Sequence, residues 1–116
     1  MIRVWADGPV WVMEPLGNLT AAELPALLDR LGEAASDTTG AGMVLMLGAV
    51  NQVDAAAIGA LRAAWEALAE HGGRLLLTGT HAAVERDLNA AGLSTSSGAV
   101  CESLEAALKM LKGQAR

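Results

Sequence analysis

Two short apolar runs constrain the fold of this chain more than any other feature. The runs "MVLML" at 43–47 and "RLLLTG" at 74–79 are nearly continuous in apolar residues, as expected of strands buried on both faces. Between them lies the helical pattern "AAAIGALRAAWEALAEHG", which follows Asp54 as a candidate N-cap and stops at a pair of glycines. Two buried strands joined by a helix form a parallel crossover, so the sequence predicts an α/β fold.

The first residues predict a β-hairpin. The segments "IRVWAD" and "PVWVME" alternate in polarity, and a turn centred on Gly8 pairs Trp5 with Trp11. The same register pairs Val4 with Val12 and Arg3 with Met13, and it places both tryptophans on one face as a cross-strand pair. That pair is interpreted either as a contact patch for a partner or, preferably, as a surface covered by a helix.

Capping signals predict the remaining elements. Thr20 and Glu23 have the spacing of a capping box before a helix whose apolar side is Leu24, Leu27, Leu28 and Leu31. Thr80 is the predicted cap of a helix carrying Val84 and Leu88, and Ser103 is the predicted cap of the last helix, after a short strand in "GAVCE". The predicted order is β-β-α-β-α-β-α-β-α with a mixed sheet, in one domain over residues 1–116.

Charge and composition exclude several classes of function. A net charge of −5 and a pI near 4.8 disfavour a nucleic-acid surface, and no apolar run is long enough to insert into a membrane. The single cysteine, Cys101, is expected to be a small buried hydrophobic residue and favours a reducing cytoplasm. The chain has no Gly-rich phosphate loop, no nucleophile–base pair and no carboxylate couple, and neither His71 nor His81 has a second metal ligand nearby. We therefore expect no enzymatic activity, no metal and no cofactor.

The block "VLMLGAVNQVDAAAIGAL" at 44–61, followed by "GGRLLLTG", "AAGL" and "SLEAALKML", resembles the STAS domain of bacterial anti-sigma factor antagonists. The resemblance implies the fold of that family over nearly the whole chain. It also implies a protein partner, namely an anti-sigma factor with a kinase-like ATPase domain or another STAS-containing scaffold. A second copy of the chain remains open as a partner.

The resemblance also locates a degenerate phosphorylation site. The family has an acidic residue in the third strand and then Asp-Ser-Ser/Thr-Gly, whose hydroxyl the kinase phosphorylates to switch partner binding off. Asp54, Ile58, Gly59 and Leu61 match this pattern. Met46 stands where the strand acid is expected, Ala55 and Ala56 occupy both hydroxyl positions, and Ala57 replaces the glycine. Since alanine has no oxygen to accept a phosphoryl group, this switch is absent at both positions.

The helix after Asp54 has two distinct faces. Ile58, Leu61, Trp65 and Leu68 predict an apolar stripe against the sheet, whereas Ala56, Ala60, Ala63 and Ala67 form a separate strip. The strip is either a docking surface or simply good helix-forming sequence. The predicted partner-binding residues are Asn51, Gln52, Asp54, Ala55, Ala56, Ala60 and Ala63.

Two alternatives remain open at this level. STAS modules also serve as accessory subunits of membrane lipid or anion transporters, where a turn that cannot be phosphorylated is unremarkable. A STAS module that binds a small ligand is the other alternative.

Overall fold

The computed structural model describes residues 2–7, 10–20, 22–23, 25–27, 29, 42–70, 74–94 and 97–114. Five strands form one sheet in the order in which they occur along the chain: β1 (Ile2–Asp7), β2 (Val10–Pro15), β3 (Met43–Met46), β4 (Leu75–Thr78) and β5 (Val100–Cys101). The β1–β2 pair is antiparallel and every other pair is parallel. The predicted mixed sheet is confirmed.

The hairpin is paired one residue away from the predicted register. Trp5 lies opposite Val12, and Trp11 lies opposite Ala6. The closing pair is Asp7 with Val10, so two residues connect the strands, instead of a turn centred on one. Because a one-residue slip moves side chains to the other face of the sheet, the predicted Trp5–Trp11 pair is wrong.

The two tryptophans therefore belong to different layers of the core. Trp11 is half-buried against the larger cluster, which contains Met13, Leu45 and Leu61. Trp5 is half-buried against the smaller cluster on the opposite face of the sheet. Neither ring forms the shared patch that the sequence suggested.

Three helices can be given bounds within the described residues: α1 (Ala55–Glu70), α2 (Ala82–Ala90) and α3 (Leu104–Gln114). The buried side chains of α1 and α2 pack on the larger cluster, whereas Ala107 and Leu111 of α3 cover the opposite face. Residues 25–27 and 29 are also helical, and Leu27 is fully buried as predicted. Leu24, Leu28, Leu31, Gly8 and His71 lie outside the described residues.

The caps agree with the sequence at some helices and differ at others. The Ser103 hydroxyl accepts the Ala106 N–H at 3.1 Å, which confirms the cap of α3. The N-cap of α2 is His81, not Thr80, and no side-chain hydrogen bond caps that helix. Val84 and Leu88 are buried as predicted, because the apolar spacing survives a one-residue shift of the helix start.

The Thr20–Glu23 pair also differs from a complete capping box. The Thr20 hydroxyl donates directly to the Glu23 carboxylate, and the Glu23 N–H donates to the Thr20 carbonyl at 3.1 Å. The hydrogen bond from Thr20 lowers the pKa of the Glu23 carboxyl. The two residues still mark the start of a helical turn.

Candidate functional site

The segment from Leu47 to Asp54, here called the β3–α1 turn, alternates between buried and exposed residues. Leu47, Val50 and Val53 are buried, whereas Asn51 and Gln52 are exposed. The Leu47 N–H donates to the Thr78 carbonyl of β4 at 2.8 Å, and the Val50 N–H donates to the Leu47 carbonyl at 3.1 Å. The apolar residues thus anchor the turn in the core and leave its polar side chains facing outward.

Leu19 anchors the second half of this turn. Its N–H donates to the Gln52 carbonyl at 3.0 Å, and its carbonyl accepts the Asp54 N–H at 3.1 Å. These two bonds make an isolated parallel bridge between Leu19 and Val53. The backbone on both sides of Val53 is therefore fixed by a segment distant in sequence.

His81 holds the first half of the turn. Its Nε2 lies 2.8 Å from the Gly48 carbonyl oxygen. A carbonyl oxygen only accepts, so the imidazole donates through Nε2–H in this arrangement. Sequence reasoning assigned no role to this histidine, because nothing in the local sequence around position 81 points to Gly48.

Asp54 caps α1 as predicted. Its Oδ1 accepts the Ala57 N–H at 2.9 Å, and its carbonyl accepts the Ile58 N–H at 3.0 Å. The residue is half-buried. The cap sets the direction in which α1 leaves the turn.

The two positions predicted as a degenerate phosphorylation site lie at the surface. Ala55 and Ala56, the first two residues of α1, are both exposed. Ala57, which replaces the family's glycine, is completely buried among the residues of the larger cluster. The methyl groups at 55 and 56 therefore face outward, whereas the one at 57 contributes to the core.

Met46 does not converge with Asp54. It is half-buried and packs with the α3-facing cluster, beside Cys101, Leu104 and Leu108. Helix α1 packs on the opposite face of the sheet. Position 46 thus faces away from the layer that holds the cap of α1.

Helix α1 divides into the two faces that the sequence indicated. Leu61 and Leu68 are buried, while Ile58 and Trp65 are half-buried at the margin of the larger cluster. Ala57 is completely buried as well, so the buried face of α1 includes a residue that the predicted apolar stripe did not. The alanine strip, defined as Ala56, Ala60, Ala63 and Ala67, lies beside it, with Ala60 half-buried and the other three exposed.

The surface of this region consists mostly of short side chains. Asn51, Gln52, Ala55, Ala56 and Ala63 are exposed, and Asp54 alone among the seven predicted residues carries a charge. Arg62 and Glu66 pair at 3.0 Å beside the alanine strip. Glu66 follows Ala63 by three residues and Glu70 follows Ala67 by three, so two carboxylates border the strip. The turn and the strip therefore form one continuous surface of short side chains.

Other candidate groups have local roles. Cys101 is half-buried rather than fully buried, and partial burial raises the pKa of its thiol, while Arg74 acts in the opposite direction. Ser94 and Ser97 bond to each other, with the Ser94 N–H donating to the Ser97 hydroxyl at 3.0 Å. Across the described ranges, no group of three or more His, Cys, Asp or Glu side chains is arranged to hold a metal ion.

None of the helices in the described part of the chain has the length and apolarity needed to cross a membrane.

The sequence profile of the STAS domain matches residues 2–107. The chain therefore belongs to the STAS domain family. Solved structures show the same fold. An anti-sigma factor antagonist from Mycobacterium paratuberculosis has a TM-score of 0.83 at 22% identity, covering 97% of this chain and 93% of that one.

Two further structures with this fold come from a stressosome and from an anion transporter. A chain of the stressosome, described as a signal integration and transduction hub, has a TM-score of 0.73 at 22% identity over 98% of this chain and 99% of that chain. The mouse anion transporter Slc26a9 has a TM-score of 0.74 at 20% identity, but the match covers 90% of this chain and 18% of that one. Among proteins with curated descriptions, none is significantly similar in sequence.

Proposed function

We propose that this chain is a non-enzymatic, protein-binding STAS domain of the anti-sigma factor antagonist type. Its partner docks on the β3–α1 turn and the alanine strip. Residues 1–116 act as one domain in the cytoplasm, and the complex serves in signalling that regulates transcription.

The observation that carries the proposal is the exposed, rigidly held surface around the start of α1. Bonds from Leu19 and His81 fix the turn from two sides, so little conformational entropy is lost when a partner binds. Asn51 and Gln52 offer amide donors and acceptors, and the alanines allow a partner's backbone or helix to approach closely. The surface suits contact rather than chemistry.

The family and the compared structures support the proposed class of partner. The anti-sigma factor antagonist from Mycobacterium paratuberculosis supports an anti-sigma factor, whose kinase-like ATPase domain docks without phosphorylating Ala55 or Ala56. The stressosome structure supports another STAS-containing scaffold as the alternative partner in the same class. A net charge of −5 supports a protein partner over nucleic acid.

A transporter subunit is the second candidate function, favoured by the fold similarity to Slc26a9. In that case the same surface contacts a transport ATPase or a membrane component. A small-ligand module has weaker support, since the cavity lined by Ile2, Leu16, Leu19 and neighbours at the open end of the hairpin is modest in size.

Affinity capture from the native host, followed by mass spectrometry, tests the proposal. We expect the wild-type chain to retain a protein with a histidine-kinase-type ATPase domain. The variant Ala63→Arg places a long cation in the middle of the exposed strip and should weaken capture at least tenfold, about 1.4 kcal/mol. Ala69→Arg, on an exposed α1 position away from the strip, is the matched control and should capture normally.

Two results contradict the proposal. Retention of a transporter subunit instead of the ATPase domain favours the second candidate. Equal capture by wild type and Ala63→Arg places the docking surface elsewhere. Ala60→Arg is a secondary variant, because Ala60 is half-buried and its substitution perturbs packing as well as binding.

A further inference from the structure

The outer edge of β1 is the longest open strand edge in the described part of the sheet. The sheet order places β1 at one side, six residues long, whereas the strand at the other side, β5, has two residues. No described strand pairs with the outer side of β1. Its outer backbone groups, which no described strand bonds, are a template for a further strand.

Two features that often block such an edge, a proline and a bulge, are missing from β1. The strand contains no proline, and its register with β2 is continuous over six residue pairs, without a bulge. Arg3 and Asp7 are its only charged residues, and they have opposite signs. The edge is thus suited to pairing with a strand of complementary charge.

A second copy of β1 is that complementary strand. In an antiparallel pair whose two-fold axis is perpendicular to the sheet, opposite residues point to the same face. The axis must therefore lie midway between the two copies of one residue. Centring the axis on Trp5 places Arg3 of each copy opposite Asp7 of the other. Centring it on Val4 or Ala6 leaves both charges opposite uncharged residues.

The side chains on this face are positioned for that arrangement. The Arg3 side chain is 63% exposed and lies 3.4 Å from the Glu14 carboxylate, while the Asp7 side chain is 40% exposed and lies 2.6 Å from the Lys112 ammonium. Pairing two copies brings Arg3 of each copy beside Asp7 of the other. The ion pairs then form two networks of alternating charge, each running Glu14–Arg3–Asp7–Lys112 across the interface.

We propose that this chain forms a homodimer by antiparallel pairing of β1 with β1 of a second copy, centred on Trp5. The two sheets become one continuous sheet, with both α3 helices on the same face. The interface uses an edge remote from the alanine strip, so it goes beyond the proposed partner-binding function and leaves that surface free. Strand pairing buries little area, so we expect a weak dimer with a Kd on the order of 10–1000 µM.

Analytical ultracentrifugation of charge-swap variants tests the dimer and its register. The wild type should show concentration-dependent dimerisation between about 5 µM and about 1 mM. Arg3→Asp and Asp7→Arg should each weaken it at least tenfold, whereas Arg86→Asp, a matched charge change on an exposed α2 position, should not. Circular dichroism checks that each variant is folded.

The double variant Arg3→Asp/Asp7→Arg shows whether these charges act across the dimer or only within one copy. Across the two-fold axis it restores opposite charges, so it should dimerise more tightly than either single variant. Within one copy it places like charges beside Glu14 and Lys112, so a purely internal role predicts no recovery. A monomeric wild type up to about 1 mM, or a double variant no better than the single ones, overturns the proposal.

Disulfide trapping provides an independent readout of register. In a Cys101→Ser background, Trp5→Cys places two thiols directly opposite each other across the axis, within reach of a disulfide. Ala6→Cys is the matched control, because its two copies are offset along the strands in this register. Faster cross-linking of Trp5→Cys supports the register, and faster cross-linking of Ala6→Cys contradicts it.

Discussion

The Asp54 carboxylate accepts a hydrogen bond from the Ala57 N–H at 2.9 Å, and this contact joins the exposed turn to the buried start of α1. Ala57 is fully buried, whereas Ala55 and Ala56, between the two bonded residues, are exposed. The cap therefore fixes the junction between the turn and α1. Ala55 and Ala56 are also the positions that the sequence predicts as a degenerate phosphorylation site.

Removing this cap should destabilise the fold. We expect Asp54→Ala to lower the free energy of unfolding by about 0.5–2 kcal/mol, because an N–H of the first helical turn loses its acceptor. Asp54→Asn is the matched control and should cost much less, since its amide oxygen can accept the same bond. Urea denaturation followed by circular dichroism measures both. Equal losses in the two variants would contradict the capping role.

Two glycines should respond in opposite directions to alanine. A Cβ at Gly59 meets no atom within 4 Å, so Gly59→Ala should raise the free energy of unfolding by about 0.5–1 kcal/mol through helix propensity. A Cβ at Gly42 would collide with the Arg74 carbonyl oxygen, and the residue has φ +122, so Gly42→Ala should destabilise. Thermal and urea unfolding of the pair test this. A stabilised Gly42→Ala variant would contradict the tight packing of β3 against the start of β4.

Restoring a hydroxyl should restore a phosphate acceptor. We expect Ala55→Ser or Ala56→Ser to be phosphorylated by the captured ATPase-domain partner with ATP, while the wild type is not. The product adds about −1.5 to −2 charges to this surface and should release the partner. Intact-mass spectrometry and repeated capture give the two readouts. Phosphate on wild-type Asp54, or no phosphate on either serine variant, would count against the assignment of the degenerate site.

The thiol of Cys101 should react slowly at neutral pH. Partial burial raises its pKa, so the folded chain holds less thiolate than the unfolded chain at the same pH. The stabilising contribution of this shift is fully present below the pKa of the unfolded thiol and is lost as pH rises through the pKa of the folded thiol. Alkylation rates between pH 7 and pH 10, with the urea-unfolded chain as control, measure this. A folded thiol that reacts as fast as the unfolded one would contradict the shift.

Much of the fold follows from local sequence patterns. Apolar runs at β3 and β4, the Asp54 and Ser103 caps, and the helical spacing of Leu61 and Leu68 each depend on residues close together in the chain. The exposed alanine strip also follows from helical periodicity. These features needed no knowledge of tertiary contacts.

The features that sequence missed depend on long-range contacts or on a shift of one residue. The hairpin register differs by one residue, because the spacing of the turn decides which side chains face each other. The bonds from Leu19 and His81 to the β3–α1 turn join residues more than thirty positions apart, and no local motif marks them. The start of α2 at Ala82, after His81 rather than Thr80, is the same kind of one-residue difference.

Hydrogen exchange of the chain, alone and with its captured partner, tests the central claim most directly. If the partner docks as proposed, amides from Asn51 to Ala63 become more slowly exchanging in the complex, whereas those of α3 and β1 are unchanged. Protection confined to α3 or β1, with residues 51–63 exchanging as in the free chain, would contradict the account.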